Sequence, residues 1–284
     1  MSLPPRDLVL VAIVVIAWGS NFTAMKIGLQ ELPPALFVAL RFAILVPLIA
    51  IVPRPSAPWS AILAVGLLIN TGQFVFLFSA MDGHVSAGLA ALLLQAQAPF
   101  TILLSVALFG ERVTRWQVAG IMVAAVGMAV IGLAGGGSVT ALGLGLVLLG
   151  ALSWACGNLV LKTLPNVAML PLFVWASIVP PLPMLLLSLV TETQAPLATI
   201  AALSPTTWAA VGYVAGISTI VGFSLWGALL ARHSAASVTP FALLIPVVGM
   251  AVAAIILGER LSGLEALGAV VVFAGLLLAV MRLT

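Results

Sequence analysis

Gly110-Glu111-Arg112, followed by Gly120 and Gly127, decides how this chain is read, because the pattern returns 148 residues later as Gly258-Glu259-Arg260, Gly268 and Gly275. The triplet is conspicuous in a sequence of 284 residues with only seven acidic side chains. Near the other end of each half, Trp18 and Lys26 return as Trp154 and Lys162, at an offset of 136. The offsets differ by 12 residues, which places a net insertion in the second copy, in its long polar stretch 191–205. The chain is an internal duplication.

What is duplicated is apolar. Hydrophobic residues make up 63% of the chain and charged residues 6%, against about 25% charged in soluble domains. There is too little polar surface to cover a soluble globular enzyme. Disorder is excluded by the same numbers, and collagen by the absence of a three-residue glycine period. A spanning helix takes about 20 residues. Apolar runs between Pro/Gly or charged breaks predict ten spans: 7–29, 34–52, 59–81, 85–108, 115–133, 141–162, 168–190, 206–230, 235–257 and 264–282. Arg6 before an apolar run resembles a signal peptide, but no convincing small-residue cleavage site follows, so the run is read as the first span. Each copy holds five spans. An odd number forces the copies to insert in opposite senses, giving the inverted repeat on which many secondary transporters are built. Residues 1–134 form the first repeat, 135–141 a Gly-rich linker and 142–284 the second repeat. The fold class is an all-α polytopic membrane protein.

Basic residues near span ends set the orientation. With the N-terminus in the cytoplasm, Arg6, Arg54, Arg112, Arg115, Lys162, Arg232 and Arg282 lie inside, whereas Lys26, Arg41 and Arg260 lie toward the outside. The even span count then puts both termini in the cytoplasm.

Trp18-Gly19-Ser20-Asn21-Phe22, then Lys26, Pro33-Pro34 and Arg41-Phe42, together with the paired Gly-Glu-Arg turns, resemble the drug/metabolite transporter superfamily, EamA type. Within it the chain is most similar to the ten-helix YddG-type amino acid exporters. The resemblance covers essentially the whole chain. It implies ten transmembrane helices as two inverted five-helix repeats around a central cavity, a bacterial inner-membrane location, and export of small metabolites, often amino acids.

Polar residues inside spans are expensive unless paired or facing water, so they are the first candidates for substrate contact. In the third span Asn70, Gln73, Phe74, Leu77, Phe78 and Met81 share a face by i, i+3, i+4, i+7 spacing. Amides beside rings suit a ligand with an apolar body and polar ends; they also suit interhelical packing, and both readings stand at this point. In the fourth span His84, Gly88, Gln95 and Pro99 share a face. Pro99 frees the carbonyl of Gln95, a kink that exposes an acceptor to a cavity or is satisfied by neighbours. Gln97 lies well around that helix. His84, at the span's outer end, is a solvated residue or a gating one. Trp154 and Asn158 share a face of the sixth span, and Trp18, Asn21, Phe22 and Met25 a face of its repeat mate. Trp154 and Trp175 lie deeper than interfacial tryptophans. The expected substrate-binding set is Trp154, Gln73, Phe74, Gln95, Phe78, Asn158, Trp175, Asn21 and Met25, with Pro99 and His84 as kink and gate. Lys26 is expected to snorkel to the interface. Arg41 is expected to pair with Glu31 or a carbonyl as gate electrostatics, or to bind a substrate carboxylate.

No Asp or Glu falls near the middle of a predicted span. Transport driven by a buried carboxylate is disfavoured, and a facilitator running down the substrate gradient is the simpler reading; proton coupling through His84 or another site is its rival. The sequence lacks His-Glu-x-x-His, clustered zinc ligands and a phosphate-binding Gly-x-x-x-x-Gly-Lys-Ser/Thr, so neither an enzyme nor a nucleotide-driven pump is expected. No cofactor or metal is expected; the partners are a small-molecule substrate, an amino acid or similar metabolite, and the lipid bilayer, with no nucleic acid and no required oligomer. A non-transport assembly factor is the alternative of another class.

Overall fold

The structure, a computed structural model, describes residues 3–134, 138–164 and 166–280. The expected linker residues 135–137 and Arg282 lie outside this set. Ten apolar segments follow one another: α1 (Pro5–Gly28), α2 (Pro34–Ala50), α3 (Trp59–Met81), α4 (Ala87–Phe109), α5 (Arg115–Leu133), α6 (Ala141–Lys162), α7 (Met169–Ala176 with Pro181–Thr191), α8 (Pro205–Arg232), α9 (Thr239–Leu257) and α10 (Gly263–Val280). Seven are long and apolar enough to cross a membrane alone, α7 is so as a pair bent by 41°, and α2 and α10 are shorter apolar helices. Two expected boundaries change. The span read as continuous over 168–190 is broken where Pro180 and Pro181 remove backbone donors. The stretch read as a loop over 191–205 contains a short helix, Pro196–Ala201, opened by a proline at its first position. α1 begins and α10 ends on one face, the termini face; the other is the opposite face.

The repeated triplet has a mechanical reason. Gly110 and Gly258 end α4 and α9 in the left-handed conformation, at φ 65° and 67°, which glycine adopts without steric cost. The next helix is then opened by a reciprocal cap. Thr114 Oγ1 accepts from Gln117 N (3.2 Å) while Gln117 Oε1 accepts from Thr114 N (2.9 Å). At the same offset, Ser262 Oγ accepts from Glu265 N (3.3 Å) and Glu265 Oε2 from Ser262 N (2.7 Å).

The repeated glycines pack α5 against α10. A Cβ on Gly120 would lie 2.6 Å from Gly275 O, and one on Gly127 2.8 Å from Gly268 O. The helices therefore run antiparallel. Because Gly120 corresponds to Gly268 and Gly127 to Gly275, the Gly120–Gly275 contact maps onto the Gly268–Gly127 contact. Such self-complementarity marks a two-fold relation, here between the two repeats.

A further repeated element escapes a hydropathy reading. α3 is wound as a π-helix over Gly66–Gln73 and α8 over Tyr213–Val221. In each a threonine hydroxyl donates to the carbonyl five residues back: Thr71 to Gly66 (2.8 Å) and Thr219 to Val214 (3.2 Å). Both pairs obey the 148-residue offset. Such bulges concentrate at functional sites, and both of these border the central cavity.

Candidate functional site

Between the two halves lies a cavity with about 750 Å³ of empty space, its open mouth included. α1 contributes Trp18, Asn21, Phe22 and Met25; α2 gives Arg41 and Phe42; and α3 gives Ile69, Asn70, Gln73, Phe74 and Leu77. Across from them stand Leu94 and Gln95 of α4, Trp154 of α6, Phe173 of α7, Ser218, Thr219 and Phe223 of α8, and Ile245 of α9. The wall is aromatic and amide-bearing, and among the described residues Arg41 is its one charged side chain.

Local irregularity positions these groups. At the α8 bulge the Ser218 carbonyl accepts from Trp18 Nε1 at 2.9 Å. The Trp18 ring is then fixed edge-on to Phe223 (centroids 5.4 Å apart), which stacks on Phe173 (3.9 Å). In α4 a 3₁₀ turn, Leu94–Ala96, precedes Pro99; in α9 another, Thr239–Leu243, precedes Pro246. Pro246 cannot donate to Ala242 O, and the Gln95 side chain does so instead, at 3.4 Å. One repeat's proline thus supplies the acceptor for the other repeat's amide.

Of the residues singled out from the sequence, Asn21, Met25, Gln73, Phe74, Gln95 and Trp154 stand in the cavity wall. Three stand elsewhere. Phe78 is fully buried above the cavity toward the opposite face, packed on Phe37 (centroids 4.7 Å). Asn158 points away from its helix-mate Trp154, donating to Gln97 Oε1 (2.8 Å) and Thr101 Oγ1 (3.1 Å); it ties α6 to α4. Trp175 lies edge-on to Trp59 and donates to Val52 O at 3.1 Å, a contact near the termini face. Pro99 is buried without touching the cavity, and His84 meets Thr140 (3.4 Å) at the opposite face. Lys26 does not snorkel freely: its ammonium donates to the Met81 carbonyl. Arg41 pairs with neither Glu31 nor a carbonyl. Sequence reading missed Ser218 and Thr219, whose signal was the repeated pair Asn70-Thr71 and Ser218-Thr219.

Toward the opposite face the cavity is sealed. Phe37, Phe78, Met25 and Met81 are all at most 1% exposed. Carboxylates from one repeat cap helix N-termini of the other. Glu192 takes the amides of Ala35 (2.7 Å) and Leu36 (3.1 Å), Glu259 those of Ala87 (2.7 Å) and Gly88 (2.9 Å), and Glu31 that of Ser204 (2.8 Å). These satisfy amides that a helix start leaves orphaned and place negative charge at the positive end of the dipole. At Glu31, which lies between spans, the Ser204 amide and hydroxyl hold the carboxyl below its ordinary value of 4.5. A depressed folded-state pKa contributes stability that is present above the ordinary value and lost as pH falls through the folded one. Glu31→Gln is therefore expected to melt below the parent protein at pH 7, with the gap closing as pH drops below about 4.5; thermal melts across pH 3–7 check it, and a constant gap rejects it.

At this point comparison with known proteins is informative. The family model described as "EamA-like transporter family" matches residues 6–133 and again 141–281. A probable amino-acid metabolite efflux pump of Salmonella typhimurium is 43% identical, over 95% of this chain and 93% of its own. A protein of the same description from Escherichia coli strain K12 is 41% identical, over 98% and 96%. A probable terminal-alkyne amino-acid exporter of Streptantibioticus cattleyicolor is 30% identical, over 94% and 90%. A solved protein structure, 19% identical, superposes with a TM-score of 0.65 over 98% of this chain and 97% of that one, which bears on the fold alone.

Proposed function

We propose that this chain, which belongs to the EamA-like transporter family, exports small amphipathic metabolites, amino acids first among them, through the central cavity. It is a multi-pass membrane transporter and not an enzyme. The observation that carries the substrate class is the wall itself: rings for an apolar body and amides for polar ends, at mid-depth between two related halves. The relatives named for amino-acid efflux and export support the same reading. Transport proceeds by alternating access, the repeats 1–134 and 142–284 rocking against each other about their Gly- and Pro-containing helices. It is facilitative, because among the described residues no carboxylate lines the cavity to carry a coupling proton. The location is a bacterial inner membrane with both termini cytoplasmic, supported by the bias of basic residues to that side. A single chain suffices.

Flux in proteoliposomes holding only this protein tests the proposal, with labelled Trp, Phe, Leu, Met, Thr and Glu and no ion gradient. Saturable, competable flux of neutral amino acids is expected. Trp154→Ala removes the ring of α6 from the wall and is expected to lower kcat/KM by about tenfold or more, the worth of burying one large apolar side chain, in protein whose melting curve shows it folded. Flux that appears only under an imposed pH gradient rejects the facilitative mechanism. No flux across the panel from folded protein rejects amino-acid export.

A further inference from the structure

Arg41 sits inside α2 and is 3% exposed. A guanidinium keeps its charge in proteins and offers five N–H donors, and a buried charge needs a partner. Arg41 has few. Its Nη2 donates to Thr219 Oγ1 at 3.3 Å, and its plane lies over Phe74 (3.8 Å to the centroid) and beside Phe42 (5.0 Å). Its Nε and Nη1 are buried with no hydrogen-bond partner among the described residues. The ion pairs among the described residues, Lys162–Glu111 and Asp7 with Arg232 and His233, lie elsewhere. On the α1 wall of the same cavity, Asn21 Oδ1 is a buried acceptor with no donor, while its amide nitrogen reaches only the weakly accepting Met25 Sδ at 3.8 Å. An orphan cationic donor and an orphan carbonyl acceptor thus border one space.

We propose that Arg41 binds the carboxylate of the transported molecule and that Asn21 Oδ1 receives its ammonium, so that the cavity selects α-amino acids over their amides and amines. The proposal rests on the transport reading above and narrows it. Thr219 and the two phenyl rings hold the guanidinium in place. Thr219 is itself held by Val214 O within the π-helical stretch of α8, so the carboxylate site depends on the unwound segment. A carboxylate supplies Arg41 with the charge-assisted bonds it lacks.

The test compares three ligands that share one body: phenylalanine, phenylalaninamide (no carboxylate) and 3-phenylpropionate (no ammonium), with the corresponding leucine and methionine series alongside. Binding is read as ligand-induced thermal stabilisation of the purified full-length protein, so it does not depend on flux. In the parent protein the carboxylate-bearing ligands are expected to half-saturate at concentrations about ten- to a hundredfold below the amide. Arg41→Gln is expected to bring the amino acid to the level of the amide and to leave the amide unchanged, whereas a purely structural arginine would weaken both alike. Arg41→Lys keeps the charge and is expected to retain part of the preference. Asn21→Leu is expected to weaken the amino acid and spare 3-phenylpropionate. An amide that binds the parent as tightly as the acid overturns the proposal without any variant, as does an absence of binding by every carboxylate in the series. Arg41-dependent binding without flux upholds the site and rejects the transport reading.

Discussion

Gly275→Leu is expected to leave little folded protein, with a loss of about 3 kcal/mol or more, the upper range for overpacking. A Cβ at this position would lie 2.7 Å from Gly120 O and 2.8 Å from Ala124 Cα. These are backbone atoms of α5, so no side chain can swing aside; the two helices must separate. α5 and α10 expose much of their remaining surface, Met122, Val126, Leu267 and Val270 included, so the shared seam is what attaches them. The seam is made by Gly120, Gly127, Gly268 and Gly275, as small residues make close helix crossings in membranes. Separation at one glycine therefore spreads along all four. The control is Gly145→Ala, whose Cβ would meet nothing within 4 Å and which is expected to melt like the parent. Size-exclusion profiles and thermal melts in detergent decide the matter. If Gly275→Leu behaves like Gly145→Ala, the seam does not hold the pair.

The same glycines show what the sequence reveals and where it stops. Their spacing announces the duplication because they do one job twice, and the apolar runs announce ten segments because a bilayer demands lengths that chance rarely supplies. What periodicity leaves open is rotation. When every face of a helix is apolar, spacing tells which residues share a face and not which neighbour that face meets. Asn158 and Trp154 are four apart, yet one ties α6 to α4 and the other lines the cavity. Phe78 shares a face with Gln73 and Phe74 but lies too far along α3, where the seal begins. The bulges at Thr71 and Thr219 were written in the 148-residue offset, but two threonines in apolar runs carry no hydropathy signal. Arg41 was legible as an oddity; that Glu31, its expected partner, is engaged by a distant helix start is something no local pattern encodes.

Glu259→Ala is expected to open the opposite face. In the structure Glu259 Oε1 and Oε2 accept from the first two amides of α4, and its removal leaves Ala87 N and Gly88 N without their acceptors. Hydrogen bonds to charged groups contribute about 1.5–3 kcal/mol each, so losing even one shifts the closed-to-open ratio about tenfold or more. Its repeat mate argues that this contact is a latch. Glu111 stands at the same place in the same turn. Glu111 pairs with Lys162, and both side chains are near half exposure. Glu259 is thus engaged across the sealed face, while its repeat mate holds a half-exposed ion pair at the termini face. That asymmetry is what the proposed alternation requires of an inverted repeat. Met81→Cys, in a background where Cys156 is replaced by serine, reports the seal, because Met81 is 0% exposed. A membrane-impermeant maleimide applied from the opposite face is expected to label it at least about tenfold faster when Glu259→Ala is added, and no faster when Glu111→Ala is added. Equal protection in the presence and absence of Glu259 would mean that the buried collar of Phe37, Phe78 and Met25 closes this face unaided, and that the repeated Gly-Glu-Arg turn shapes the helix junction without gating it.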